Sequence, residues 1–374
     1  MKELICSAGL AVALLTAMSV PIHAETNMWG GSPSRNQVSA EKNLPTSWDT
    51  ETGANIKWQV PLGSQTYGGP LVVGNKIFVG TNNDSMRDPK HPGDRSILLC
   101  LDEKSGDFLW QLVIPKLKSG KVNDWESLGL LSSPTVVGNR LYVVSSRCEV
   151  LCVDVAGLSN GNDGPYKDEA VYVHLDTGKP PAKLGPKDGD IIWRYDMMDE
   201  LGVFPHNASN CSIIVVGDMV YACTSNGQDW THSNVPSPLS PSFIALDAKT
   251  GELKGEDDAG IGPNIFHGQW SSPSYGVVNG QGQLFFGGGD GICYAFNPKP
   301  VYDKDEDLDF LRKVWWFDAN PSEYKKDKDG KDIKYPAAEG PSEINATPVF
   351  YNNRVYIATG QDPEHGEGVG HLVC

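Results

Sequence analysis

Five segments of the chain are near copies of one another, and this repetition limits the fold more than any other feature. Gly69 to Gly80, Ser133 to Val144, Ile213 to Cys223, Ser272 to Gly287 and Thr347 to Ala358 each hold a β-branched or aromatic run, a turn and a second such run. The turns read Gly74-Asn75, Gly138-Asn139, Gly217-Asp218, Asn352-Asn353 and the longer Asn279 to Gly282, all rich in residues that tolerate positive φ. Each segment is therefore a β-hairpin. A third strand ending in Asp or Asn follows at Asp102, Asp154, Asp247 and Asn297, and two positions earlier stands Cys or Ala: Cys100, Cys152, Ala245 and Ala295. A small side chain recurring there fits a close approach of neighbouring sheets. A fourth strand then carries Trp110, Trp193 or Trp315, with Leu253 where the third unit should have its Trp. Four short strands per unit, recurring roughly every 60 to 80 residues, make an all-β propeller of four-stranded antiparallel blades.

A chain of 374 residues would ordinarily suggest two or three domains, but the repeat runs through almost all of it as one. Its 41 Gly and 26 Pro serve the many turns. The charge of −16, from 47 acidic and 31 basic side chains, would repel a phosphate backbone and excludes nucleic acid as a partner. Residues 4–24 carry no Asp, Glu, Lys or Arg, with Leu10 to Leu15 as an apolar heart and Pro21 to Ala24 as a cleavage site. Residues 1–24 thus read as a signal peptide, the rival being a retained anchor, and 25–54 as an N-terminal extension before the propeller of 55–374. Cys6 precedes the apolar heart, so lipidation is not expected. The mature protein is expected to be exported, periplasmic or extracellular, and not integral to a membrane. Setting Cys6 aside leaves seven of the eight cysteines, without a disulfide framework. In a hairpin turning at Gly217-Asp218, Cys211 and Cys223 point to opposite sheet faces, so buried thiols are expected.

The pattern small-x-Asp-x-x-Thr-Gly-x-x-x-Trp, cleanest from Ala245 to Gly251, resembles the pyrroloquinoline-quinone-like β-propeller repeat of the quinoprotein alcohol dehydrogenase-like superfamily. The opening Met28 to Asn36, with Leu44 to Trp48 and Ile56 to Trp58, is similar to exported bacterial members, and the resemblance runs from about Trp29 to Cys374. It implies that Trp58, Trp110, Trp193 and Trp315 are structural, each docking on the next blade. It also implies a closing strand at 55–62 and blades starting near 69, 132, 211, 271 and 346. With the last blade incomplete, the chain would be a truncated propeller of about five blades from a probable seven or eight. A closed five-bladed ring finished by the Trp58 strand is the alternative.

In a propeller, the loops leading into first strands and those between second and third strands share one face around the central channel. Polar and aromatic residues in these loops are the candidate binding residues: His206, Asn207, Asn210, Asn226, Asp229, His267, Gln269, Trp270, Asp290 and Asn345. Six of the eight His, including His91 and His232, also fall in or just after such loops. No His-x-x-x-His or Cys-x-x-Cys spacing occurs, so no metal site is assigned, and a zinc site would have to assemble across blades. Asp327 to Gly330 lacks the first and closing ligands of a calcium loop. Asn207-Ala208-Ser209 and Asn345-Ala346-Thr347 match the glycosylation sequon.

The resemblance makes pyrroloquinoline quinone and calcium possible cofactors, with Trp270, Asn210 and Asp290 available for the roles. However, the adjacent-cysteine pair and the Cys-x-x-Cys-His haem site of such enzymes are absent. No catalytic residue is assigned. The expectation is a non-catalytic binding or scaffold module of the cell envelope, with a protein, peptide or glycan as partner. Long insertions at 154–190 and 299–334 would offer further edges. The alternative is a quinone- and calcium-dependent dehydrogenase.

Overall fold

The computed structural model describes residues 26–333, 341–360 and 370–374. The signal-peptide segment lies outside these residues. Four blades of four antiparallel strands follow one another along the chain. The first is Leu71–Val73, Lys76–Asn82, Arg95–Asp102 and Phe108–Pro115; the second is Thr135–Val137, Arg140–Val144, Glu149–Asp154 and Ile191–Asp196. The third is Ile214–Val216, Met219–Cys223, Phe243–Asp247 and Leu253–Asp257; the fourth is Ser274–Val278, Gln281–Gly287, Ile292–Phe296 and Lys313–Asp318. A fifth sheet holds Val349–Tyr351, Arg354–Thr359 and His371–Val373. The cores between blades are apolar, with Leu98, Leu99, Leu141, Leu151, Ile244 and Phe243 fully buried. Cys100, Cys148, Cys152, Cys211, Cys223 and Cys293 are buried free thiols, and Cys211 Sγ accepts the Cys223 backbone N–H at 3.1 Å.

The repeat residues act as a unit at each junction. Asp102 Oδ1 accepts the N–H groups of Lys104 and Ser105, both at 2.9 Å, and the bond from Ser105 holds its carboxyl below the usual range. Asp247 closes the same turn through Lys249 and Thr250. The carbonyl that follows then receives an indole from the preceding blade. Trp110 Nε1 donates to Val155 O at 3.2 Å and Trp193 Nε1 to Ala248 O at 3.3 Å. The rings lie on glycine: a Cβ on Gly157 or Gly251 would come within 2.9 Å of Trp110 and 2.6 Å of Trp193, and both glycines have positive φ.

Across the ladder, the small residue faces the tryptophan, Cys100 opposite Trp110, Cys152 opposite Trp193 and Ala295 opposite Trp315, and a bulge follows it in all four blades. The small side chain therefore makes room for an indole within its own blade, where the sequence suggested room between sheets. Trp315 differs from the other tryptophans, since its Nε1 donates to Gln283 Oε1 of its own blade at 3.0 Å. Residues 55–62 form no strand and pair with no sheet. Trp58 docks instead on the first blade's turn, donating to Glu103 O at 3.1 Å and lying against Gly106.

The N-terminal extension contacts several blades. The first strands of the second to fifth sheets lie side by side in turn, Thr26–Met28 contacts those of the first and second, and residues 26–35 run along them. Thr26–Met28 pairs antiparallel with Thr135–Val137 of the second blade. Trp29 packs on Gly69 before the first blade. Pro33 O accepts the Tyr275 N–H of the fourth blade at 2.7 Å, and Ser34 O accepts that of Phe350 in the fifth sheet at 2.9 Å. Arg35, 3% exposed, donates to Ser212 O and Ile213 O of the third blade at 2.7 and 3.0 Å and to Pro273 O of the fourth at 3.0 Å. Burial lowers its pKa to about 10, so it remains a cation at neutral pH.

The two insertions pair with outer strands of the blades. Residues 187–189 exchange backbone hydrogen bonds with Gln111 on the outer strand of the first blade. A hairpin of Val301–Asp303 and Leu308–Leu311 pairs in parallel with the outer strand of the third blade. The hairpin's own Val301–Asp303 becomes the edge strand of that sheet.

Candidate functional site

Three loops of the third and fourth blades meet on one face. Residues 202–213 lead into the third blade and carry His206; residues 224–242 join its second and third strands and carry His232; residues 258–273 lead into the fourth blade and carry His267. The three imidazoles form a triangle, with ring centroids 4.4, 4.7 and 5.0 Å apart and no pair stacked face to face. One ligand nitrogen of each lies within 4.8 Å of the other two. His232 and Asn207 sit at positive φ, 51° and 58°, which bends their loops inward.

Gln228 ties the triangle together through its backbone. Its N–H donates to His267 O at 2.8 Å, and its carbonyl lies 2.6 Å from His206 Nδ1. A carbonyl can only accept, so Nδ1 carries the proton and Nε2 the lone pair. Among the described residues, that buried Nε2 has no hydrogen-bond partner. Burial, helped by the neighbouring His267, pushes the His206 pKa down to about 4, so the ring is neutral at physiological pH. Gly227 permits the close fit, because a Cβ there would lie 2.6 Å from His206 Cβ and 2.9 Å from His267 O.

The remaining candidate residues divide between support and other surroundings. Trp270 borders the triangle, its ring 5.4 Å from His267 and 6.0 Å from His206, and its Nε1 donates to Ala208 O at 3.1 Å. The Gln269 amide donates to Asn226 O and Ser242 Oγ, and the Asn226 amide bonds Phe204 N–H and Ser237 O. Both are buried loop braces. Asn207 links Val122 and Trp125 by backbone hydrogen bonds, and the side-chain oxygens of Asn207 and Asn210 are buried without a protein partner.

Asp229 closes the base of the His232 loop. Its carboxylate takes hydrogen bonds from Thr231 and Asn234, which hold its pKa below the usual range. Asp290 is elsewhere, lining a cleft of about 400 Å³ with Phe266, Tyr294 and Asn320. Burial pushes its pKa up to about 7, against the hydrogen bond from Tyr294 Oη at 2.5 Å. Asn345 is exposed and bonded to Glu343 at 3.2 Å.

His232, Trp230 and Gln228 belong to the site although sequence reading did not select them. Their loop joins the second and third strands of the third blade, but nothing local distinguishes His232 from the other loop histidines. Trp230, 54% exposed, lies 6.4 Å from His232 and 6.3 Å from Trp125. A calcium-held quinone would need oxygen donors converging beside a flat indole. Asp290 and Trp270 do not provide this: Asp290 is bonded to Tyr294 in its own cleft, and Trp270 flanks three imidazoles. Among the described residues one further group could hold an ion, Asp88, His91 and Asp188, between the first blade and the second-blade insertion.

No family model matches the chain, and a search of curated proteins finds no relative. Among solved structures, it is similar to BamB from Moraxella catarrhalis, at 14% identity and TM-score 0.40, covering 87% of this chain and 77% of that one. It is also similar to a europium-containing methanol dehydrogenase, at 13% identity and TM-score 0.46, covering 89% of this chain and 54% of that one. A third similar structure is quinohemoprotein alcohol dehydrogenase from Comamonas testosteroni, at 13% identity and TM-score 0.40, covering 89% of this chain and 57% of that one. The chain thus spans little more than half the length of these two dehydrogenases. By its own four-stranded blades and docking tryptophans, the chain has the architecture of a β-propeller.

Proposed function

We propose that this protein is an exported, non-catalytic binding module whose working surface is the loop face of the third and fourth blades. The observation that carries the reading is the course of residues 26–35. They occupy the line of first strands that a channel ligand would otherwise reach, and Arg35 bonds three of the carbonyls there. Recognition then falls to the loops, where Trp125, Trp230 and the polar rim suit a protein, peptide or glycan from the envelope. Export rests on the uncharged segment 4–24. No helix among the described residues is long and apolar enough to cross a membrane.

The test is to incubate the full-length protein with pyrroloquinoline quinone and calcium and then follow dye-linked alcohol oxidation and melting temperature. The expected result is no oxidation and no shift in melting. Alcohol oxidation that depends on both additions would replace this reading with that of a quinoprotein dehydrogenase.

A further inference from the structure

We propose that His206, His232 and His267 form a binding site for a divalent transition-metal ion, with zinc as its simplest occupant. Three loops distant in sequence bring three imidazoles together, with one ring nitrogen of each within 4.8 Å of the other two. His206 is the anchor. It is fully buried, its Nδ1–H is committed to the Gln228 carbonyl, and its Nε2 lone pair has no hydrogen-bond partner among the described residues. A backbone carbonyl on one ring nitrogen that orients the other towards an ion is the usual outer support of a metal-binding histidine. A buried acceptor left unpaired is otherwise a net cost to the fold.

The donor set selects the ion. Neutral imidazoles suit zinc, copper, nickel or cobalt, whereas calcium and magnesium require oxygen. Zinc–nitrogen bonds of about 2.0–2.1 Å hold tetrahedral ligands about 3.3 Å apart. The present separations of up to 4.8 Å therefore close with a shift of about 1.5 Å. His232 can provide it, being half-buried on a loop with exposed neighbours, while His206 and His267 are fixed by packing. Three protein ligands leave a fourth position for water or an incoming donor. This inference does not depend on the identity of any macromolecular partner.

Full-length protein stripped with a chelator is titrated with zinc alone by calorimetry, and with cobalt(II) by visible absorption. One ion per chain, a rise in melting temperature with zinc and a tetrahedral cobalt spectrum are expected. His232→Ala, on the half-exposed loop, should fold normally and weaken zinc binding by at least about tenfold. His267→Ala should do the same, with circular dichroism confirming the fold. His91→Ala, in the separate Asp88 and Asp188 cluster, should leave zinc binding unchanged. Absence of stoichiometric uptake would overturn the proposal, as would uptake that survives His232→Ala and His267→Ala or is lost in His91→Ala.

Discussion

At the scale of single residues, two substitutions in the repeat show how a junction keeps its hydrogen bonds. The third blade has Leu253 in place of the docking tryptophan, and the carbonyl awaiting that indole, Pro298 O, accepts from Tyr221 Oη at 2.6 Å. One junction earlier, Tyr142 Oη donates to Ala248 O at 3.0 Å beside Trp193 and Arg140. Tyr221→Phe should therefore cost about 1 kcal/mol in urea unfolding and Tyr142→Phe only a few tenths, because the Ala248 carbonyl keeps two donors. Equal losses would show that Tyr221 does not replace the indole. Asp290 makes a prediction of the opposite kind. Its folded pKa of about 7 lies above the unfolded value of 3.8, so the unfolded chain releases this proton first. Its contribution to stability is full below about pH 4 and declines as pH rises to about 7. Asp290→Asn lacks this loss. The variant's stability relative to the wild type should rise by up to about 4 kcal/mol between pH 4 and pH 8, measured by denaturant titration at each pH. A flat difference would place the Asp290 pKa near its ordinary value.

At the scale of elements, the hairpins were legible because each turn demands residues with positive φ and each strand alternates about a buried face. The turn after the third strand was legible for the same reason: Asp102 and Asp247 fold back on their own backbone N–H groups, and the glycine after them takes a conformation other residues resist. Gly251→Ala combines φ +78° with a Cβ 2.6 Å from the Trp193 ring. It should destabilise the protein by about 1 to 3 kcal/mol, seen as a lower melting temperature without change in the far-ultraviolet spectrum. An unchanged melting temperature would mean that Trp193 does not rest on this turn. What the repeat could not convey was the destination of its insertions. Residues 187–189 and the Val301 to Leu311 hairpin pair with the outer strands of neighbouring blades through backbone hydrogen bonds. Such pairing uses groups common to every residue and leaves little trace in side-chain pattern.

At the scale of the whole molecule, the least legible features were those in which distant segments converge. Residues 26–35 read as a family-like opening with no role. In the fold they bond to the second, third and fourth blades and the fifth sheet and pack beside the first. Arg35 gave no signal because a lone arginine in an extension looks like any surface cation until its guanidinium meets carbonyls some 180 and 240 residues away. The histidine triangle was hidden in the same way, since His206, His232 and His267 have no local metal-ligand spacing and become neighbours only when two blades stand side by side. The binding-module reading rests on the extension being locked across the first strands. Native-state hydrogen exchange of the Tyr275 and Phe350 amides, whose acceptors are Pro33 O and Ser34 O, measures that lock directly. Both should exchange as slowly as the blade-core amides of Ile244 and Leu284, and both should lose protection in Arg35→Ala while the core amides keep theirs. Rapid exchange of Tyr275 and Phe350 in the unmodified protein would show that the extension is not held there and would contradict the account.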